Sequence, residues 1–434
     1  MQLNGADKGE DSVQIAMEQL LSRFEKYISF DTQSAEEKMD ICPSTSGQMI
    51  FARALAAELR ELGLSEVTLD DHGYLMATLP ANGGGQAPVV GFIAHLDTSP
   101  DAAGGPVRPR VVTAYDGGDI VLNAAQGIVL SPREFPELAA YRGQDILVTD
   151  GMTLLGADDK AGITAIVSAA EYLLCHPEIR HGKIRLGFTP DEETGRSALR
   201  FDVEQFAAAF AYTVDGGAIG GLEYETFNAS NPVVIFHGCN VHTGDAKGKM
   251  RNALSMAAKW QAMLPEGEKP EYTEGREGFF HVYKLEGTVE RCTMHMLVRD
   301  HDRKRFEARK AYLAHLADCF NVSYGAGTVE LTMPDVYYNM RDKIMPAHEQ
   351  VVALAARAMR EAGVEPAVMP IRGGTDGAQL SYRGLPCPNI FTGGLNYHSR
   401  YEYLPLPSLK AAAETVLHLM VDAAAVGGDG HEDH

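Results

Sequence analysis

The sequence predicts an α/β protein: a mainly parallel sheet flanked by helices, with a ferredoxin-like βαββαβ domain inserted into it. Two patterns carry this prediction. Short apolar runs bounded by Gly, Pro or Asp alternate with segments whose apolar residues recur at helical spacing. Such alternation is typical of βα units and a parallel sheet. Between about residues 228 and 338 the order becomes β-α-β-β-α-β, which is the split βαβ pattern.

Local periodicity predicts the elements of the larger domain. Helices are expected where apolar residues recur with the period of an α-helix, at 13–28, 47–62, 159–174 and 348–362. Strands are expected in short apolar runs with turn residues at their ends, at 74–80, 89–94, 183–189, 210–215 and 388–392.

The inserted domain follows from the same signals. Its strands are expected at 233–238, 279–285, 293–299 and 328–333, and its helices at 251–264 and 303–319. The sequence therefore predicts a catalytic domain formed by residues 1–227 and 339–434, interrupted by an inserted domain at 228–338.

Composition narrows the class of protein. A chain of 434 residues exceeds the size at which one core usually keeps growing, which favours two folding units. With 38 basic and 59 acidic residues the net charge is −21, a poor match to nucleic acid or an anionic membrane. No apolar run approaches the roughly 20 residues that span a bilayer. The oligomeric state stays open, a homodimer included.

The compartment is predicted from the first residues and the cysteines. The start MQLNGADKGEDSVQ has neither the basic nor the apolar region of a signal peptide, so a cytoplasmic protein is expected. The six cysteines are scattered without a CxxC pair. This spacing argues against both a disulfide framework and a cysteine-based zinc site.

Residues that could bind a metal follow the predicted strands, where ligands collect in open α/β sheets. They are His95 and Asp97 after 89–94, Asp191, Glu192 and Glu193 after 183–189, Asp215 at the end of 210–215, Asp158 at the start of 159–174, and His398 after 388–392. Each alone has an ordinary structural explanation, such as a hydrogen-bonded turn, a solvated acidic loop or a capped helix. Together, two histidines and several carboxylates form a set suited to zinc.

Longer strings of the sequence resemble a known family. They include HLDTSPD, LLGADDKAG, FTPDEETG, TVDGG, RDHDRKRFEARK, IRGGTDGAQLSYRGLPCPNIFTGG and NYHSRYEY. Together they resemble the tripeptide aminopeptidases of the family of co-catalytic zinc peptidases, which also contains acylases and glutamate carboxypeptidases. The resemblance extends from about residue 13 to 423.

The resemblance implies two zinc ions per chain, held by His95, Asp158, Glu193, Asp215 and His398, with Asp158 bridging both. It implies that Glu192 is the general base and that Asp97 orients His95. It assigns substrate contacts to His242 and Arg299, and a cis peptide bond to Asp158–Asp159. The expected activity is removal of the N-terminal residue from tripeptides by metal-activated water.

Three alternatives stay open at this point. A related carboxypeptidase, dipeptidase or aminoacylase would share every metal residue. A non-catalytic zinc-binding protein could use the same scaffold, although it would have no need to keep Glu192. A phosphoryl-transfer enzyme is disfavoured because RGGTDG at 372–377 lacks the GK[ST] of a P-loop.

Two residues depart from the pattern of the family. Position 401 is tyrosine where a basic residue or histidine is expected, and position 301 is histidine where an aromatic residue is expected.

Overall fold

The computed structural model describes residues 14–38, 40–83 and 87–425. The chain divides into two compact units. Of the described residues, one unit comprises those up to Leu222 together with His348–Ala367 and those from Arg383 onward, and the other comprises Glu223–Ala347 and Val368–Tyr382. The second unit is thus wider than the inserted domain expected at 228–338. One of its flanking segments is tied to that domain by hydrogen bonds such as Arg372 Nη1 to Gly275 O (3.0 Å).

The described residues form eleven α-helices and nineteen strands. The α-helices are α1 Met17–Ile28, α2 Ser46–Glu61, α3 Ala157–Cys175, α4 Ser197–Arg200, α5 Val203–Phe206, α6 Ala253–Met263, α7 Arg303–Tyr324, α8 Arg341–Ile344, α9 Glu349–Glu361, α10 Asp376–Tyr382 and α11 Leu406–Asp422. The strands are β1 Ser65–Leu69, β2 Leu75–Leu79, β3 Val90–His95, β4 Arg110–Val112, β5 Ile120–Asn123, β6 Ile128–Leu130, β7 Ile146–Val148, β8 Ile184–Thr189, β9 Phe210–Gly216, β10 Gly221–Glu223, β11 Asn228–Ser230, β12 Val233–His237, β13 Phe279–Gly287, β14 Arg291–Asp300, β15 Val329–Thr332, β16 Asp335–Tyr337, β17 Ala367–Val368, β18 Asn389–Phe391 and β19 Tyr403–Pro405.

The first unit is built on an eight-stranded sheet with the order β1-β2-β8-β3-β9-β18-β10-β17. Its centre is parallel: β3 pairs with β8 and β9, and β18 pairs with β9, all in the same direction. Strands β3 and β8 are buried along their whole length, as expected for parallel strands covered on both faces. The carboxyl ends of four neighbouring strands therefore meet at one edge of this sheet.

The second unit has a ferredoxin-like core. Strands β15, β12, β14 and β13 lie side by side in that order, each antiparallel to its neighbour. Helices α6 and α7 contribute Trp260 and Phe320, which pack with Phe236 of β12 in a separate apolar core. The α/β class with an inserted ferredoxin-like domain is confirmed.

Some elements differ from the sequence prediction. The first helix begins at Met17 among the described residues, while Val13, where it was expected to start, lies outside them. Strands β4 to β7 and β19 were missed, because runs of three or four residues are too short to display a period. They enclose a small apolar core around Leu130 and Tyr141. Within the described ranges, no helix is both long and apolar enough to cross a membrane.

Candidate metal centre

His95 and Asp97 lie at the carboxyl end of β3. Both side chains are buried, with exposures of 2% and 0%. His95 Nδ1 lies 3.1 Å from the Asp97 carbonyl oxygen and 3.4 Å from its Oδ1. These contacts turn the Nε2 atom of His95 away from Asp97 and toward the carboxylates described next.

The loop after β8 supplies two adjacent glutamates. The backbone N–H groups of Glu192 and Glu193 donate to Oδ1 and Oδ2 of Asp97, at 3.0 and 3.2 Å. Asp191 is fully buried and accepts hydrogen bonds from Ser44 N and Gln48 Nε2, each 2.8 Å. The partners of Asp191 fix the loop, and Asp97 couples it to His95.

Asp158 lies between two histidines. Its Oδ1 is 2.7 Å from His95 Nε2, and its Oδ2 is 3.3 Å from His398 Nε2. The Asp158–Asp159 peptide bond is cis, as the resemblance implies. Gly162 permits the close approach of this segment, because a Cβ there would collide with the Val214 carbonyl and the Asp159 carboxylate.

Asp215 and His398 complete the cluster. Asp215 lies in β9, and its Oδ1 is 3.5 Å from His95 Nε2. His398 follows β18 in a left-handed conformation (φ 59°), with Nε2 2.8 Å from Glu193 Oε2. One potential ligand atom from each of His95, Glu192 and Asp215 lies within 4.8 Å of the others, and the same holds for His95, Asp158 and Glu193.

Two carboxylates at this site were not predicted from the sequence. Glu402 is buried and accepts hydrogen bonds from the backbone N–H groups of Leu155, Gly156 and Asp158, at 2.6, 2.8 and 3.1 Å. Asp101 lies with Oδ2 3.2 Å from His398 Nδ1. Both residues belong to the strings that carry the family resemblance, NYHSRYEY and HLDTSPD, but their partners are distant in sequence.

His242 and Arg299 belong to the second unit. His242 is exposed, and its Nδ1 accepts a hydrogen bond from Gly244 N. Arg299 donates to the carbonyl oxygens of Ser230 and Val298 and to Asn231 Oδ1, at 2.8 to 3.1 Å. Its guanidinium also lies over the ring of Tyr337. Their role in substrate binding stays a prediction.

The electrostatics of the cluster favour a bound cation. Burial and the nearby Asp158 raise the pKa of Glu193 to about 8 and that of Asp215 to about 7. Hydrogen bonds to Asp158 and Glu193 raise the pKa of His398 to about 11. Burial alone would raise the pKa of Asp158, but hydrogen bonds from His398 and His95 outweigh it and lower the value. Protons thus offset the negative charge of these carboxylates.

An unpartnered oxygen points to the same conclusion. Glu193 Oε1 is buried and accepts no hydrogen bond from the described residues. Leaving a polar oxygen buried without a partner costs free energy. Buried carboxylates and imidazoles are ligands that suit zinc and similar divalent cations. The residues of this cluster are therefore suited to bind a divalent metal ion.

A parallel-centred α/β sheet with a largely buried histidine–carboxylate cluster at the strand ends suits a metal-dependent hydrolase. Comparison agrees: the model of peptidase family M20/M25/M40 matches residues 146–422, and the chain belongs to this family. It is therefore a peptidase.

Individual proteins resemble this chain over nearly its whole length. The chain is 54% identical over 402 residues to peptidase T of Listeria monocytogenes serotype 4a (strain HCC23), an alignment that covers 93% of this chain and 98% of the relative. Among solved structures, the aminopeptidase PepT of Bacillus cereus ATCC 10987 has a TM-score of 0.74 at 24% identity, covering 94% and 99% of the two chains. A tripeptidase of Staphylococcus aureus Mu50 has a TM-score of 0.75 at 23% identity, covering 95% and 100%.

Proposed function

We propose that this chain is a dinuclear zinc aminopeptidase that removes the N-terminal residue from tripeptides. The observation that carries the proposal is the position of Asp158, with one oxygen toward the Nε2 of each histidine. A carboxylate in this position suits two cations, which in two-metal hydrolytic sites lie about 3.5–4 Å apart.

Two overlapping ligand sets would hold the zinc ions. His95, Asp158 and Asp215 would bind one ion, and Asp158, Glu193 and His398 the other. Bound zinc would lower the pKa of a water molecule and polarise the scissile carbonyl group. The buried, unpartnered Oε1 of Glu193 supports this assignment.

Glu192 is the proposed general base. Its carboxylate takes a proton from the attacking water as the oxygen of that water bonds to the carbonyl carbon. The same carboxylate then gives the proton to the amine nitrogen as the carbon–nitrogen bond breaks. Asp97 supports this role because it holds the Glu192 backbone at 3.0 Å and His95 at 3.4 Å.

The substrate class is inferred from relatives and from the resemblance of the sequence. Relatives carry the names peptidase T, aminopeptidase PepT and tripeptidase. His242 would donate a hydrogen bond to the developing oxyanion, and Arg299 would bind a peptide carboxylate.

A cytoplasmic location is proposed as well, since all six cysteines are free thiols, as in reducing compartments.

A product analysis tests the proposal. The zinc-loaded protein is incubated with Ala-Gly-Val, its N-acetylated form, Ala-Gly and Ala-Gly-Val-Ala, and the products are identified by mass spectrometry. Free alanine with Gly-Val, and no cleavage of the acetylated peptide, is the expected result. Release of valine would indicate a carboxypeptidase, and release of acetate a deacylase. The Glu192→Gln variant, loaded in the same way, is the control for contaminating peptidases.

A further inference from the structure

Each histidine of the cluster has a carboxylate near its Nδ1 atom. His95 Nδ1 lies 3.4 Å from Asp97 Oδ1, and His398 Nδ1 lies 3.2 Å from Asp101 Oδ2. In both histidines the other nitrogen, Nε2, faces Asp158. Both histidines thus have Nδ1 near an aspartate and Nε2 toward Asp158, although His95 Nδ1 lies nearer still to the Asp97 carbonyl oxygen, at 3.1 Å.

Both carboxylates come from one loop. Asp97 and Asp101 are four residues apart in the segment after β3. Gln33 Nε2 donates to the carbonyl oxygens of Ser99 and Ala102, at 3.2 and 2.6 Å. The loop is anchored again where Leu154 N donates to Ala103 O at 3.0 Å. The backbone that carries Asp101 is therefore fixed on both sides of that residue.

We propose that Asp101 is the positioning residue of His398: it accepts a hydrogen bond from Nδ1–H and so directs Nε2 toward the second metal. The inference rests on the proposed metal assignment and extends it. A histidine ligand commonly donates its second ring N–H to a carboxylate, which fixes the tautomer and the ring orientation. One loop would then orient the histidine ligands of both metals.

The two carboxylates differ in exposure, and this sets the size of the effect. Asp97 is fully buried, whereas 65% of the Asp101 side chain is exposed. Removal of such a partner typically weakens metal binding by about 10–100-fold. Because solvent screens Asp101, we expect Asp101→Ala to lie near the lower limit, at about 10-fold, and Asp101→Asn to lose less because its amide oxygen still accepts the hydrogen bond.

Zinc titration of the metal-free protein tests the inference. Competition with a chromophoric chelator gives two stepwise dissociation constants for the wild type, Asp101→Ala and Asp101→Asn. The matched control is Asp71→Ala, which removes an exposed aspartate from the turn between β1 and β2. Only one constant should weaken in Asp101→Ala, with Asp101→Asn intermediate and Asp71→Ala equal to the wild type.

A double-mutant cycle identifies the site affected. Adding Asp101→Ala to His398→Ala should change the remaining zinc constant less than twofold, because the group it positions is gone. Two zinc constants in Asp101→Ala within twofold of the wild type would overturn the positioning role while leaving the proposed function intact. A wild type that binds fewer than two zinc ions would overturn both.

Discussion

The most demanding prediction for a single residue concerns Asp97. Its two carboxylate oxygens accept hydrogen bonds from the backbone N–H groups of Glu192 and Glu193, and Oδ1 also contacts His95 Nδ1. In Asp97→Asn one oxygen becomes an NH₂ group. Whichever way the amide is oriented, that group faces a backbone N–H, so one hydrogen bond is lost and two donors oppose each other.

The structure sets the size of this effect. A hydrogen bond to a charged group contributes about 1.5–3 kcal/mol, and Asp97 is fully buried. We therefore expect the free energy of unfolding of the metal-free protein to fall by about 1.5–3 kcal/mol. We also expect the zinc affinity to fall by about 10–100-fold, because His95 loses the charge that orients it.

Two measurements check the prediction. Urea unfolding of the metal-free variant, followed by circular dichroism, gives the change in stability, and zinc titration gives the affinity. Asp71→Asn is the matched control for the loss of an aspartate charge. If Asp97→Asn matched the wild type in both measurements, the coupling of His95 to the glutamate loop through Asp97 would be wrong.

Three further predictions concern the metals and the substrate. Glu192→Gln should keep both metals but lose about 10²–10⁴-fold in kcat, whereas Glu193→Ala should lose metal; swapped results in metal analysis and kinetics would reverse the two roles. The pKa values of Glu193 and His398 are raised to about 8 and about 11, so both groups should bind protons at neutral pH when no zinc is bound. Zinc binding should therefore release protons and weaken as the pH is lowered from 8 to 6. Calorimetry in buffers of different ionisation enthalpy measures this release, and its absence would contradict the charge assignment. Arg299→Ala should lower tripeptide turnover more than tetrapeptide turnover, and an unchanged ratio of the two kcat/KM values would remove Arg299 from substrate recognition.

Much of the fold could be predicted from the sequence because its signals are local. The apolar runs of β3, β8, β9 and β18 are bounded by turn residues, and potential ligands lie at the carboxyl ends of these strands or in the loops that follow. Since the carboxyl ends of parallel strands share an edge, neighbouring strand ends bring the ligands together. The predicted clustering of the ligands requires these strands to pair in parallel, and in the structure they do.

The remaining features depend on contacts between distant segments. Asp101 meets His398 across 297 residues, and Glu402 meets the backbone of Asp158 across 244. No spacing rule predicts such pairs. Adjacent Glu192 and Glu193 are chemically alike, so their different surroundings appear only in three dimensions. The resemblance to a family distinguished them where periodicity could not.

In the proposed mechanism two metals act together around Asp158, and metal content measured against activity gives the sharpest test of this cooperation. Metal-free protein is titrated with zinc while bound metal, by plasma mass spectrometry, and tripeptide turnover are followed together. Turnover should reach its maximum at two zinc ions per chain. Full turnover in a well-folded sample with only one bound zinc would contradict it.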